Sequence, residues 1–382
     1  MFFFNVLLTS FYLHASIANY LDGLNGTELV LTFLVHRHGD RSPLQEYQYL
    51  SDKPELLEKI VAPFGYGQLT DFGKRRAYEL GKFIRSRYNN YLSPKYNHSE
   101  IYIRSTDSTR TKMTVLVAMA AVYHPDGFGW SEDINWVPVP YTTIPLRYDF
   151  LMGFNCPSFE KHFDNFANTY VPEMAKYSDV LDRLSSALKY DIIQRNPVKI
   201  FSTYDVIVSQ TNIGLHPSPS IQKMMPDIKE AADKAFDLLF GNDTMLPLQS
   251  GLLLREFFEV TALATAGKST QKVRIYSAHD NNVYAFAAIS KAIPRQGIPP
   301  YAALFALELR RVMETGNYVV LPIYVKSPGE QVQYLEIEGC GGPLCDLKKF
   351  YAITSPYLLD VNEWKKRCNY DENATYDTQR YD

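Results

Sequence analysis

The sequence predicts an α/β fold: a mainly parallel sheet with helices on both faces, and a smaller helical domain inserted into it. Three observations carry that expectation. The run Leu29 to Val35 is almost continuously apolar, as a strand buried on both faces must be. Short apolar segments of this kind alternate with longer stretches of helical period, the pattern of a sheet covered on both sides. Over residues 157–265 the strand pattern stops and helical periodicity dominates.

The first strand, Glu28 to Val35, runs straight into a polar, charged segment. A helix follows over Thr70 to Tyr88. Leu69, Phe72, Leu80, Phe83, Ile84 and Tyr88 form its apolar stripe, while Lys74, Arg75, Arg85 and Arg87 stay in water. Glu100 to Arg104 reads as a second strand and Thr109 to Tyr123 as a second helix, stopped before Pro125. In the middle, Ile221 to Phe240 and Leu252 to Ala266 are the clearest helices, with interruptions at Pro217, Pro219 and Pro247. The alternation then resumes with a strand at Val273 to Ser277 and a helix at Asn282 to Ala292. A hairpin joins Ala303–Met313 to Tyr318–Lys326 across Glu314-Thr315-Gly316-Asn317. The expected organisation is an α/β domain of residues 19–156 and 266–382, split by a helical insertion or lid at 157–265.

Composition narrows the function classes. The chain has 382 residues, 46% hydrophobic and 21% charged, with a net charge of −3. Such a balance argues against a nucleic-acid surface, so any positive pocket is local. Residues 1–18 read as a secretory signal: Phe2 to Leu13 is mostly apolar, and Ser16-Ile17-Ala18 offers small residues for cleavage. That run falls short of the ~20 residues of a spanning helix, and no later segment reaches it, so no membrane anchor is expected. The expected product is soluble, either secreted or in the lysosomal lumen. Sequons at Asn25, Asn97, Asn242 and Asn373 fit that route. Four cysteines allow three pairings. Cys340 and Cys345 flank a Gly-Gly-Pro turn and can close a local loop, which leaves Cys156 and Cys368 to join distant segments. Zinc is the rival use of the thiols, but no second Cys or His pair has ligand spacing.

Three clusters carry chemistry. Arg37-His38-Gly39-Asp40-Arg41-Ser42-Pro43 follows the first strand, setting a nucleophile between two planar cations. Guanidinium forks match pairs of phosphate oxygens, and an imidazole between them is placed to attack the anion they hold. Arg104 closes the second strand and precedes Ser105-Thr106-Asp107, a helix start. It reads either as a strand-end salt bridge or as a third guanidinium on the same anion, because ligands of open sheets bind at the carboxyl ends of strands. His279-Asp280 follows the strand Val273 to Ser277. Its alternatives are a helix cap, or a phosphate contact from His279 with Asp280 as general acid.

These segments resemble the histidine acid phosphatases, the secreted and lysosomal members of branch 2 of the histidine phosphatase superfamily. The landmarks are RHGDRSP at Arg37 to Pro43, GQLTDFG at Gly67 to Gly73, YIRSTD at Tyr102 to Asp107, NCPSF at Asn155 to Phe159 and YSAHD at Tyr276 to Asp280. The resemblance implies His38 as the nucleophile that forms a phosphohistidine, and a phosphate clamp of Arg37, Arg41, Arg104 and His279. It implies Asp280 as the proton donor to the leaving alcohol. It also implies disulfides Cys156–Cys368 and Cys340–Cys345, a mixed α/β domain with a helical one, and often a homodimer. Three guanidiniums can neutralise the phosphoryl oxygens by themselves, so no metal or other cofactor is expected. The expected substrates are small phosphate monoesters, cleaved in mildly acidic solution, where His38 is kept neutral by its cations and Asp280 still holds a proton. Asn281-Asn282 stands where close relatives carry two threonines, so altered substrate contacts are expected. Two rival readings stay open: a phytase or other inositol-phosphate phosphatase on the same core, and a secreted binding protein without turnover.

Overall fold

The computed structural model describes residues 24, 26–63, 65–125, 129–167, 171–192 and 199–373. The leader expected at 1–18 and the sequon at Asn25 lie outside the described residues. The strands in chain order are β1 (Thr27–Arg37), β2 (Ile101–Ser105), β3 (Thr142–Thr143), β4 (Val273–Ala278), β5 (Ala292–Ile293), β6 (Leu304–Val312), β7 (Tyr318–Val325), β8 (Gln333–Tyr334), β9 (Glu336–Ile337) and β10 (Cys345–Asp346). One eight-stranded sheet runs in the order β10-β7-β6-β1-β4-β2-β3, with β8 on β7. The four strands β1, β4, β2 and β3 are parallel, because helical crossovers join them. The hairpin of β6 and β7 extends the sheet antiparallel beyond β1. A separate two-stranded ribbon pairs β5 with β9.

The first crossover carries α1 (Pro54–Val61) and α2 (Asp71–Arg87), and the next carries α3 (Thr109–Val122). The middle of the chain holds α4 (Pro157–Ala167), α5 (Ser178–Leu188), α6 (Ile200–Asn212), α7 (Pro219–Phe240) and α8 (Leu246–Thr265). Then come α9 (Asp280–Ile289), α10 (Leu347–Thr354) and α11 (Val361–Cys368). Alternation along the central strands divides the core in two. Leu34, Ile103, Ile275 and Ala306 meet Leu80 and Ile84 of α2 and Val115 and Met119 of α3. Phe33, Val35, Tyr276 and Phe305 form the opposite face with α8 and α9. There Phe33 meets Phe257 of α8 edge-on at 5.7 Å and Phe286 of α9 at 5.4 Å. Each such side chain contributes about 2 kcal/mol when withdrawn from water.

Segment 157–265 contains helical elements and no strand among its described residues. Its last helix, α8, packs against α9 and the β1 face of the sheet rather than with the other inserted helices, through an apolar side that includes Leu253, Leu254 and Phe257. Cys156 is bonded to Cys368, tying the start of α4 to the end of α11, and Cys340 is bonded to Cys345. Asn97 and Asn373 are exposed and Asn242 is half-buried. No described helix is long and apolar enough to cross a membrane.

Candidate active site

β1 and β4 run parallel and end side by side, with Arg37 opposite Ala278. The chain leaves both strands at the same sheet edge, so His38 and His279 emerge as neighbours, their rings 5.5 Å apart and edge-on. The turn after β1 is held from behind. The Gly39 N–H donates to Thr114 Oγ1 of α3 at 3.0 Å, and Thr70 N–H donates to the Asp40 carbonyl at 2.9 Å. Thr70 also caps α2, accepting from Gly73 N–H at 3.0 Å. Here the backbones touch: a Cβ on Gly73 would lie 2.1 Å from the Asp40 carbonyl oxygen, and one on Gly39 2.5 Å from the Gly73 oxygen. The GQLTDFG segment is therefore the seat of the RHGDRSP turn. Asp40 completes it, buried between Arg76 Nε at 2.6 Å and Asn212 Nδ2 at 2.6 Å.

His38 is only 2% exposed. Its Nδ1 lies 2.8 Å from the Gly39 carbonyl oxygen, which can only accept, so Nδ1 carries the hydrogen. Burial and then the charges of Arg110 and Arg37 hold the imidazole well below its ordinary pKa. A neutral ring with Nδ1–H has its lone pair on Nε2, as a nucleophile requires.

Arg37 reaches the Pro299 carbonyl at 2.8 Å and Asp280 Oδ2 at 2.8 Å, and stacks over the Tyr301 ring with 4.0 Å to the centroid. Burial opposes its charge, but Asp280, Tyr301 and Asp205 outweigh that and raise its pKa. Arg41 pairs with Asp205 Oδ2 at 2.7 Å. Burial also opposes the Arg41 charge, and Asp205 and Tyr301 again prevail. Asp205 comes from α6 and bridges both guanidiniums, with its other oxygen 3.3 Å from Arg37. Burial disfavours its carboxylate, yet Arg41 and Arg37 hold its pKa below the ordinary value. Nothing in the local sequence around Asp205 marked it, because its partners lie more than 160 positions away.

The structure brings a different third guanidinium to the cavity. Arg104 lines neither the cavity around His38 nor the adjoining one that Arg37 and Asp280 line: it pairs with the fully buried Asp149. Alternation along β2 turns Ile101, Ile103 and Ser105 inward and leaves Arg104 on the other face, so its side chain runs over the sheet rather than off its end. The strand-end salt bridge, one of the two alternatives for this residue, describes what the structure contains. Arg110, in the first turn of α3, takes the place beside His38, and its charge lowers the pKa of both His38 and His279. The signal that could have found it is the position of Ser108-Thr109-Arg110-Thr111 at a helix start behind a strand, where a long side chain reaches back over the strand end.

His279 Nε2 is 3.1 Å from Thr106 Oγ1, and its backbone N–H donates to Asn282 Oδ1 at 3.2 Å. Asn282 Nδ2 in turn donates to the Met152 carbonyl at 2.9 Å. Asn282 thus braces His279, while Asn281 faces the cavity. That cavity, about 280 Å³, is lined by His38, Arg41, Arg110, His279 and Asp280 at its polar end. A neutral imidazole ringed by guanidiniums, with a carboxyl group alongside, at the carboxyl edge of parallel strands has the layout of a phosphoryl-transfer site that works through histidine.

The comparisons agree with that class. Residues 28–320 match the family model of the histidine phosphatase superfamily (branch 2), and the chain belongs to that family. It is 31% identical over 356 residues to prostatic acid phosphatase of Homo sapiens, covering 89% of this chain and 88% of that one. It is 30% identical over 354 residues to lysosomal acid phosphatase of Xenopus laevis, covering 89% and 79%. Among solved structures, the phytase of Klebsiella sp ASR1 superposes with a TM-score of 0.66 at 13% identity, covering 88% of this chain and 98% of that one. The phytase of Citrobacter braakii gives 0.64 at 14%, covering 89% and 99%. At such identities the structural likeness concerns the fold alone.

Proposed function

We propose that the chain is an acid phosphatase, a phosphoric monoester hydrolase that works through a phosphohistidine on His38. The observation that carries this reading is the His38 ring itself: neutral, with Nδ1–H pinned by Gly39 and Nε2 left to attack, beside Arg41 and Arg110. Arg37, Arg41 and Arg110 hold the phosphoryl oxygens, with His279 beside them, and offset the charge that spreads over those oxygens in the transition state. In the first step Nε2 bonds to phosphorus, the ester P–O bond breaks, and Asp280 gives its proton to the departing oxygen. In the second, Asp280 takes a proton from water as the water oxygen attacks phosphorus. The N–P bond breaks and inorganic phosphate leaves. The cations for this chemistry come from the protein, so activity is expected to survive EDTA; loss to EDTA with recovery on zinc would contradict that. The leader-like start and the sequons of the sequence support a secreted or lysosomal product carrying glycans, the second destination matching the name of the lysosomal relative, and the family resemblance supports a homodimer.

The test is trapping. Wild type quenched during turnover of a labelled phosphate monoester at mildly acidic pH should carry acid-labile phosphate on His38, and His38→Ala should carry none and turn nothing over. Label on a serine or an aspartate would end the proposal.

A further inference from the structure

The cavity above the phosphate end has a composition that the hydrolytic chemistry does not need. Phe154, Phe159, Phe163, Phe201, Phe236 and Phe240 all line it. The rings are in mutual contact rather than scattered. Phe154 stands edge-on to His279 at 6.0 Å, Phe159 meets Phe240 at 6.0 Å, Phe240 meets Phe236 at 4.4 Å, and Phe201 meets Phe236 edge-on at 5.9 Å. An aromatic wall thus extends from the catalytic histidines outward, suited to an apolar body attached to the phosphate.

Among the described residues, the charges along that wall are all of one sign. On α4, Phe159 and Phe163 form one i,i+4 stripe and Glu160 and Asp164 the next, and all four line the cavity. Glu46 lines it from the turn after RHGDRSP. Asp205 also contributes, but Arg37 and Arg41 neutralise it. The cations among the lining residues are Arg41 and Arg110, both at the phosphate end. A second phosphate on the substrate would therefore sit among carboxylates, and an amine would sit against carboxylates and ring faces, which attract cations.

We propose that this site selects phosphate monoesters whose alcohol is an aromatic or aliphatic body bearing a positive charge, and disfavours polyanionic phosphates. The proposal rests on the acid phosphatase reading and adds its substrate class. Phe159, Phe163 and their neighbours receive the body, and Glu160 and Glu46 receive the charge.

Three phenyl phosphates test it with the leaving group held nearly constant: the para-ethyl, para-aminoethyl and para-carboxyethyl compounds. For wild type, kcat/KM should fall in the order amine, ethyl, carboxylate, with roughly tenfold between the ends, carried mainly by KM and shrinking with added salt. In the Glu160→Gln variant, and further with Glu46→Gln, the amine-to-carboxylate ratio should collapse toward one. Inositol hexakisphosphate should be a poorer substrate than the ethyl compound. A carboxylate probe equal to the amine in wild type, or an order unchanged in the variants, overturns the selectivity while leaving the hydrolase intact. Absence of turnover of the ethyl compound by wild type overturns the acid phosphatase reading itself, and the selectivity with it.

Discussion

Replacing Arg104 and Arg110 one at a time by methionine separates the arginine to which the sequence pointed from the one, six positions later, that lines the cavity around His38. Methionine keeps the aliphatic bulk and removes only the charge. Arg110→Met takes one guanidinium from around the phosphoryl group, and loss of a single preorganised donor of this kind lowers kcat by about a hundred- to a thousandfold, roughly 3–4 kcal/mol. Arg104→Met acts elsewhere. It leaves Asp149, a carboxylate with no exposed surface, without its cation. Breaking a buried pair from one side costs about 3–5 kcal/mol, which for a chain of this length lowers Tm by roughly 5 °C. Adding Asp149→Asn to Arg104→Met should recover part of that loss, because no charge is then stranded. The assays are steady-state hydrolysis of phenyl phosphate well below Tm, and thermal unfolding of the same proteins at a pH well above about 6, where Asp149 is ionised. Arg104→Met should keep kcat close to wild type while melting earlier, and Arg110→Met should lose kcat. A hundredfold drop in kcat for Arg104→Met with Arg110→Met near wild type would refute the assignment of Arg110 to the phosphate.

Three further outcomes follow from the geometry. Burial lifts the Asp149 pKa to about 6 against the pull of Arg104, so the native state takes up this proton before the unfolded chain does. Stability from this group is full below about pH 4 and lost as pH rises through about 6, a swing of about 3 kcal/mol, and Asp149→Asn should flatten Tm against pH in that window. Asp280→Ala should slow alkyl phosphates by about a hundred- to ten-thousandfold and nitrophenyl phosphate far less, since a good leaving group needs no proton. Equal losses on both would count against Asp280 as the acid. Gly73→Ala puts a methyl against the Asp40 carbonyl, where the gap is 2.1 Å, and should destabilise by about 3 kcal/mol, read as a lower denaturation midpoint. An unchanged midpoint would mean that α2 can move away from the turn freely.

Local pattern was enough for the elements nearest the site. The apolar run before Arg37, and the short strand before His279, declared themselves because a strand buried on both faces has little freedom of composition. The turn chemistry was legible for the same reason: Arg37, His38, Arg41, His279 and Asp280 are adjacent to strand ends, where the chain must leave the sheet. The RHGDRSP and YSAHD segments, with the GQLTDFG segment that seats the first, gave the family. The antiparallel hairpin of β6 and β7 was visible in its turn, but its attachment to β1 rather than to another edge was not.

What only the tertiary structure decided involves side chains whose meaning depends on distant partners. Which way Arg104 points is set by the pleat of β2 and by Asp149, forty-five positions later, and Arg110 owes its place to the packing of α3 behind the RHGDRSP turn. Asp205 becomes a bridge between Arg37 and Arg41 only because α6 packs against the helical turn Gln45–Leu50 that follows RHGDRSP. Residues 246–265 read as part of a lid, yet they cover the sheet, since amphipathic period marks a buried face without naming what buries it. Adjacency along the chain writes local chemistry into sequence, whereas long-range pairing is a property of the folded packing alone.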